Sequence, residues 1–256
     1  MSLFRIRWAI SKLSDRKFRD RLRRQVVSPF AFYGAIALKL LPFSRRLELR
    51  LKDGKRVGIP TFMSLYIFSE IFVDGVYDGG FAAFPKFIID IGANTGIFVL
   101  RAKQLCPDAS VVAFEPEVGN YNELLRTVEC NRLTNVSTIR AAIGVKPGPI
   151  TLYRHPRNNG GHSTVSQVSG VAVTVPGATL TDAIGKVGGR VDLLKVDCEG
   201  AEEMILRGLT DEQAAKIRTI IYEPQWRLYS VPSLNEWLSS LGFRVTPGSD
   251  TVLAQH

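Results

Sequence analysis

Cysteine is scarce, with Cys106, Cys130 and Cys198 the only three in a chain of 256 residues. They are too few and too scattered for a disulfide framework or a metal knuckle, which points to a reducing, cytoplasmic compartment. Long hydrophobic runs are also lacking. The most apolar stretch, 26–43, is interrupted by Pro29, Lys39 and Pro42 and is followed by Arg45 and Arg46. A spanning helix needs about 20 largely uninterrupted apolar residues, so none is expected. The same stretch lies too far along the chain, behind too many arginines, for a signal peptide. Internal repeats are absent. What remains is an ordinary globular composition, 45% hydrophobic and 22% charged, with a length suited to one α/β domain and a short extra segment.

Charge is unevenly spread. Residues 1–56 hold 16 Lys and Arg against 4 Asp and Glu, whereas the remaining 200 are slightly acidic, so the net +9 belongs to the N-terminal segment. An anionic partner for that end follows. Helical spacing over 3–26 puts Arg5, Lys12, Arg16, Arg19 and Arg23 on one face. Leu3, Ile6, Ile10 and Leu13 form an apolar face, which Phe18, Leu22 and Val26 continue on a rotated line. Two placements suit such a helix: flat on an anionic membrane surface, or packed on the main domain with a solvated basic face. Alternation over 47–59 around Asp53-Gly54 predicts a hairpin. Residues 61–78 read as a helix breaking near Asp74-Gly75, part of a lid or cap. The expected organisation is an N-terminal extension over 1–60 and a main domain over 61–256.

From residue 86 onward, strands and helices alternate. Strands are predicted at 86–91, 110–114, 136–142, 191–196 and 217–222, with helices to about residue 105 and over 118–132, 201–208 and 232–241. Segments 243–245 and 251–254 suit a terminal antiparallel pair. Residues 145–190 are irregular, with strand-like pieces at 149–153 and 171–175. Repeated strand–helix units imply a seven-stranded, mostly parallel sheet with helices on both faces.

The sharpest local feature is the strand and turn Phe87-Ile-Ile-Asp90-Ile-Gly92-Ala93-Asn94-Thr-Gly96. Gly92 and Gly96 remove side chains where backbone meets a ligand, and the following helix N-terminus favours an anionic group. A dinucleotide site would prefer G-x-G-x-x-G. Counting from Gly92, this chain has Asn94 and Ile97 at the second and third glycine positions, which weakens that reading. The pattern instead resembles the D-x-G-x-x-x-G loop of proteins that bind S-adenosylmethionine (SAM). The next strand ends Phe114-Glu115-Pro116, where an acid can accept both ribose hydroxyls of an adenosine. Small residues around Ala142 leave room for an adenine ring, or simply pack a strand end closely.

A second dense motif is Lys195-Val-Asp197-Cys198-Glu199-Gly200-Ala-Glu202. Lys195 and Asp197 share one face of a strand. Glu199 opens the loop beyond its carboxyl end, where ligands of open α/β sheets bind. Charges this close shift one another's pKa, at functional sites and in structural ion networks alike.

Taken in order, Asp90–Gly96, Phe114-Glu115-Pro116, Ala141–Gly144, Thr179-Leu-Thr-Asp182 and Lys195–Glu202 resemble the FkbM methyltransferase family, over roughly residues 65–245. The resemblance implies a class I (Rossmann-like) SAM-dependent fold and methyl transfer, usually to oxygen on sugars, glycolipids or secondary metabolites. It implies that Asp90, Gly92, Asn94, Gly96 and Glu115 contact the cofactor and that Lys195, Asp197 and Glu199 serve the chemistry; Ala93, Pro116 and Ala142, within the same motifs, are further candidate cofactor contacts. Glu223 fits an acid after the fifth strand, but Gln225 stands where relatives often show a histidine. The general base is therefore open among Asp197, Glu199 and His162, the last in a glycine-rich loop suited to closing over a substrate. Oxygen ligands for a divalent metal exist in Asp197, Glu199 and Glu223, but their spacing defines no site and none is predicted.

Two alternatives stand beside a small-molecule or glycan acceptor. Methylation of nucleic acid would use the basic segment, but that charge lies outside the fold, and the Asn/Asp-Pro-Pro-aromatic element of amino-methylating enzymes is missing. A non-enzymatic, membrane-attached binding module would have no need for the full Lys195–Glu202 cluster.

Overall fold

The computed structural model describes residues 3–41, 45–154, 163–164 and 171–256. His162 and most of its glycine-rich loop lie outside them.

The spacing predicts one helix over 3–26, but the structure has two, α1 (Leu3–Ser14) and α2 (Arg16–Gln25). Asp15 is the reason. Its carboxylate accepts the Phe18 N–H at 3.0 Å and so starts a new helix. The faces of α1 are also the reverse of a helix packed with its basic side in solvent. Lys12 pairs with Asp74 at 2.9 Å, and Arg5 lies over the Phe62 ring at 5.2 Å, so both point inward. Leu3, Ile10 and Leu13 are exposed. On α2 the rotated line holds: Phe18 and Leu22 are buried.

Ser28 caps α3 (Pro29–Lys39), with proline in its first turn, where no amide partner is lost. The expected hairpin forms as β1 (Leu47–Arg50) and β2 (Arg56–Ile59), with Leu47 opposite Ile59. Next, α4 (Phe62–Phe68) widens into a π-helical turn, Ser69–Asp74, which Gly75 ends at φ +69°. A short 3-10 turn, Asp78–Phe81, follows.

The strand–helix alternation then unfolds largely as the pattern predicts: β3 (Phe87–Ile91), α5 (Ile97–Leu105), β4 (Ser110–Phe114), α6 (Val118–Cys130) and β5 (Val136–Ile139). The strand read over 136–142 ends at Ile139, and a separate β6 (Ala142–Gly144) pairs in parallel with β9 (Gly177–Thr179) outside the main sheet. Between them, β7 (Ile150–Arg154) and β8 (Val171–Val175) form an antiparallel ribbon. After α7 (Leu180–Lys186) come β10 (Leu193–Val196), α8 (Glu202–Arg207), α9 (Asp211–Ala214), β11 (Thr219–Tyr222) and α10 (Val231–Ser240). The antiparallel pair β12 (Arg244–Pro247) and β13 (Val252–Gln255) closes the chain.

The main sheet has seven strands in the order β12-β13-β11-β10-β3-β4-β5, parallel from β11 to β5. Neighbours on β3 face opposite ways. Ile88 joins one core with Phe18, Phe32, Leu49, Leu65 and Phe98, so α2, α3, the hairpin and α4 cover that face of the sheet. Ile89 joins the other, with Leu180, Leu194, Leu206 and Leu234. The chain crosses from β3 to β4 on one side and reaches β10 on the other. Such a reversal opens a crevice at the carboxyl ends of the strands. Among the described residues no helix is long and apolar enough to cross a membrane.

Candidate active site

A cavity fills this crevice. On one side runs the turn after β3. Gly92 and Ala93 donate their N–H groups to the Phe114 carbonyl, 3.0 and 2.9 Å away. Gly92 has φ +80°, and a Cβ there would collide with the Asp197 carbonyl, so only glycine fits. Glu115, at the end of β4, accepts the Asn94 N–H on one oxygen and the Glu117 N–H on the other, both at 2.8 Å. Burial pushes its carboxyl up to about 7, against the pull of those two donors.

Lys195, on β10, stitches the two motifs together. Its ammonium lies 3.0 Å from Asp90 Oδ1 and 3.3 Å from Asp197 Oδ2. It also donates to the Gly92 carbonyl at 2.8 Å. Burial works against its charge, yet Asp197 and Asp90 together outweigh that and keep it protonated. Burial likewise pushes the Asp90 carboxyl up, and Lys195 opposes it. Burial alone would raise Asp197 too, but Lys195, a hydrogen bond from Glu223 and one from Tyr77 Oη at 2.9 Å hold it below its ordinary value. Glu223 is driven far up by its own burial and by the Asp197 charge. It is the protonated partner of that pair.

Glu199 differs from these. It has φ +55°, a left-handed conformation costly for a side chain other than glycine, and Gly200 follows at φ +108°. The buried Glu202 carboxylate holds the bend by accepting the Cys198 N–H at 2.7 Å and the Gly200 N–H at 2.9 Å. Burial, then Asp197 and Glu202, push the Glu199 carboxyl up to about 8. Cys198 is raised well above an ordinary thiol, mainly by burial, which keeps it protonated.

The structure brings most of the residues singled out in sequence to one cavity wall: Gly92, Ala93, Asn94, Glu115, Pro116 and Ala142 on one side, and Lys195, Asp197, Glu199 and Glu223 on the other. Two are not on the wall. Asp90 is wholly buried behind Lys195. Gly96 starts α5 at φ +82°, with a Cβ position 2.8 Å from Leu124, so it serves the packing of α5 on α6. His162 lies outside the described residues.

Sequence reasoning misses three lining residues. Thr95 has a buried hydroxyl with no hydrogen-bond partner among the described residues. Tyr77 holds Asp197. Glu70, on the π-helical turn, is pushed up to about 7 by burial, with Tyr66 opposing and Asp197 adding to the rise. The only signal for Glu70 and Tyr77 is their place in a segment read as a cap. Among the described residues no group of three His, Cys, Asp or Glu side chains is arranged to hold a metal ion.

A family model described as the methyltransferase FkbM domain matches residues 90–245. The chain belongs to the FkbM methyltransferase family. Curated relatives agree. It is 35% identical over 182 residues to Methyltransferase 1 of Beauveria bassiana (strain ARSEF 2860), covering 62% of this chain and 72% of that protein. Identity to Methyltransferase sdnD of Sordaria araneosa is 31% over 214 residues, 71% of this chain and 82% of the relative. The 31-O-demethyl-FK506 methyltransferase FkbM of Streptomyces tacrolimicus is 26% identical over 239 residues, 80% of this chain and 92% of its own. The seven-stranded sheet is accordingly that of a class I methyltransferase. In this FkbM methyltransferase the family match begins at Asp90, the first residue of the ion network, and takes in both dense motifs.

Proposed function

We propose that the chain is a SAM-dependent O-methyltransferase acting on a hydroxyl of a sugar, glycolipid or secondary metabolite. One observation carries the reading. The glycine turn and Glu115 on one side of the cavity face Asp197, Glu199 and Glu223 on the other.

The residues present fit the cofactor. The turn at Gly92 leaves no room for a side chain, and the Thr95 hydroxyl is buried and unpaired on the wall. Each Glu115 oxygen takes one backbone N–H, leaving a lone pair on each for a ribose hydroxyl. Residues 92–95 would hold the amino-acid end, Glu115 the ribose, and Pro116 and Ala142 the base. When bound, SAM supplies an activated methyl group on a sulfonium. The rest of the catalysis is alignment plus removal of a proton.

Glu199 is the group suited to take the acceptor's hydroxyl proton, since a base is most effective when its pKa lies near the working pH. Asp197, kept charged by Lys195 and oriented by Tyr77, orients the acceptor. Lys195 has its ammonium surrounded by protein oxygens, so its part is positioning. Glu223, protonated, donates to Asp197.

The lining argues against nucleic acid. Among the described residues Lys195 is the one cation on the lining, and Asp90, Asp197 and the Gly92 carbonyl already engage it, so the cavity offers phosphates no free positive charge. A binding module without chemistry would not need Glu199 held in a strained conformation.

Titration calorimetry with SAM, followed by incubation with methyl-labelled SAM and a cell extract, tests the reading. Binding and label on an acceptor oxygen are expected. No heat of SAM binding overturns the cofactor assignment, and label on nitrogen or carbon overturns the acceptor atom.

A further inference from the structure

Two of the N-terminal helices, α1 and α3, show apolar side chains to solvent as well as to the core. The solvent-facing side of α1 carries Leu3, Ile10 and Leu13, exposed by 72, 59 and 50%. The side turned to the protein carries Trp8 and Ala9, and Arg5 and Lys12 lie half-buried beside them. On α3 the exposed positions are Phe30, Ala31, Gly34, Ala37 and Leu38, with no charged residue among them, and Phe30 is 86% exposed. The one charge on that helix, Lys39, is buried and donates to the carbonyls of Arg45 and Pro60, at 2.6 and 2.8 Å. A helix that hides its cation and shows its leucines to water is mispatterned for solvent. Both α1 and α3 show this exposed apolar face.

Between them in sequence, and in contact with both, lies α2. It exposes Arg16, Lys17, Arg21, Arg23 and Arg24, with Asp20 its one acid. We propose that α1, α2 and α3 form a docking surface for an anionic lipid bilayer, in which the apolar faces of α1 and α3 enter the acyl boundary and the α2 cations meet the headgroups. Charge decides the occupant. Apolar side chains beside a basic helix match the two layers of an anionic leaflet. A second copy of the chain would set one α2 near another and bring like charges together.

The surface adjoins the cavity. The Trp8 and Phe4 rings of α1 pack on Tyr66 at 5.8 and 5.9 Å, and Tyr66 lines the cavity with Met63 and Ile67. Docking therefore brings the cavity wall to the bilayer. The docking inference stands whether or not the proposed chemistry does.

The test is co-sedimentation of the full chain with sucrose-loaded vesicles, either neutral phosphatidylcholine or the same with about one-third phosphatidylglycerol. Three proteins are compared: wild type, the apolar variant Ile10→Ser with Leu13→Ser and Phe30→Ser, and the charge variant Arg16→Gln with Arg23→Gln and Arg24→Gln. All six changes fall on exposed side chains, and circular dichroism checks that each variant is folded. Wild type is expected to bind anionic vesicles at least about tenfold more tightly than neutral ones. Each variant is expected to lose at least about tenfold on anionic vesicles. No wild-type binding at low salt overturns the proposal. So does full binding by the apolar variant, which would leave adsorption by charge alone. A wild-type dimer in light scattering that the apolar variant makes monomeric, without vesicle binding, assigns the face to a second copy and also overturns it.

Discussion

Lys195 and Asp90 face each other across the neighbouring strands β10 and β3, their charges 3.0 Å apart. Neither is more than 2% exposed. Removing one charge from such a pair strands the other in a medium that cannot solvate it. Lys195→Met is expected to lower unfolding free energy by about 3–5 kcal/mol, measured by urea denaturation. Adding Asp90→Asn to Lys195→Met removes the stranded charge and should recover part of the loss. A double variant no more stable than Lys195→Met contradicts this account.

Asp90 lies off the cavity wall, so its influence on a cofactor runs through Lys195 and the Gly92 carbonyl that Lys195 holds. Asp90→Ala should leave no detectable heat of SAM binding in a protein still folded by circular dichroism. Unchanged affinity would remove the turn from the cofactor site.

The raised carboxyls set a pH dependence whose sign can be worked out. Glu70 and Glu115 rise from 4.5 to about 7, and Glu199 to about 8. The folded state therefore holds more protons than the unfolded one between pH 4.5 and 8. Their contribution to stability is fully present below 4.5 and is lost as pH rises through 7 to 8. Glu199→Gln should flatten the upper part of that decline, read as thermal midpoint against pH. Methyl transfer should run the opposite way, rising as Glu199 deprotonates toward pH 8. Glu199→Gln should lower kcat by about a hundredfold or more and erase that limb. A mutant that keeps the wild-type profile assigns the base elsewhere.

Tyr77→Phe deletes one hydrogen bond to the charged Asp197 while keeping the ring that packs edge-on against Phe98. A loss of about 1.5–3 kcal/mol is expected in denaturant unfolding, as for other bonds to charged groups. Turnover should fall with it, since Asp197 loses an orienting contact. Stability unchanged within error would show that water replaces the hydroxyl at no cost.

Much of this was legible in the sequence where the signal is local. The Asp53-Gly54 hairpin and the strand–helix alternation after Phe87 appear with boundaries close to those the pattern predicts. Both dense motifs meet at one cavity because parallel strands deliver their carboxyl ends to one edge. Periodicity assigned the faces of α1 but not which one meets the protein, since a helical repeat carries no inside or outside. The strand predicted over 136–142 splits because β9 offers Ala142 a second partner. That partner lies too far along the chain for a local pattern to announce it. Tyr77 was hidden for the same reason: it reaches Asp197 from 120 residues away, and nothing in its own segment marks it.

Trp8 stands with its indole 5.2 Å from Phe62 and 5.8 Å from Tyr66, and Tyr66 forms part of the cavity wall. The chain thus carries its own optical gauge, a fluorophore one ring removed from the space where an acceptor would sit and on the helix that shows its leucines outward. With Trp226 and Trp237 replaced by phenylalanine, emission from that indole would register filling of the cavity and a change in what covers α1, without a dye or an attached label.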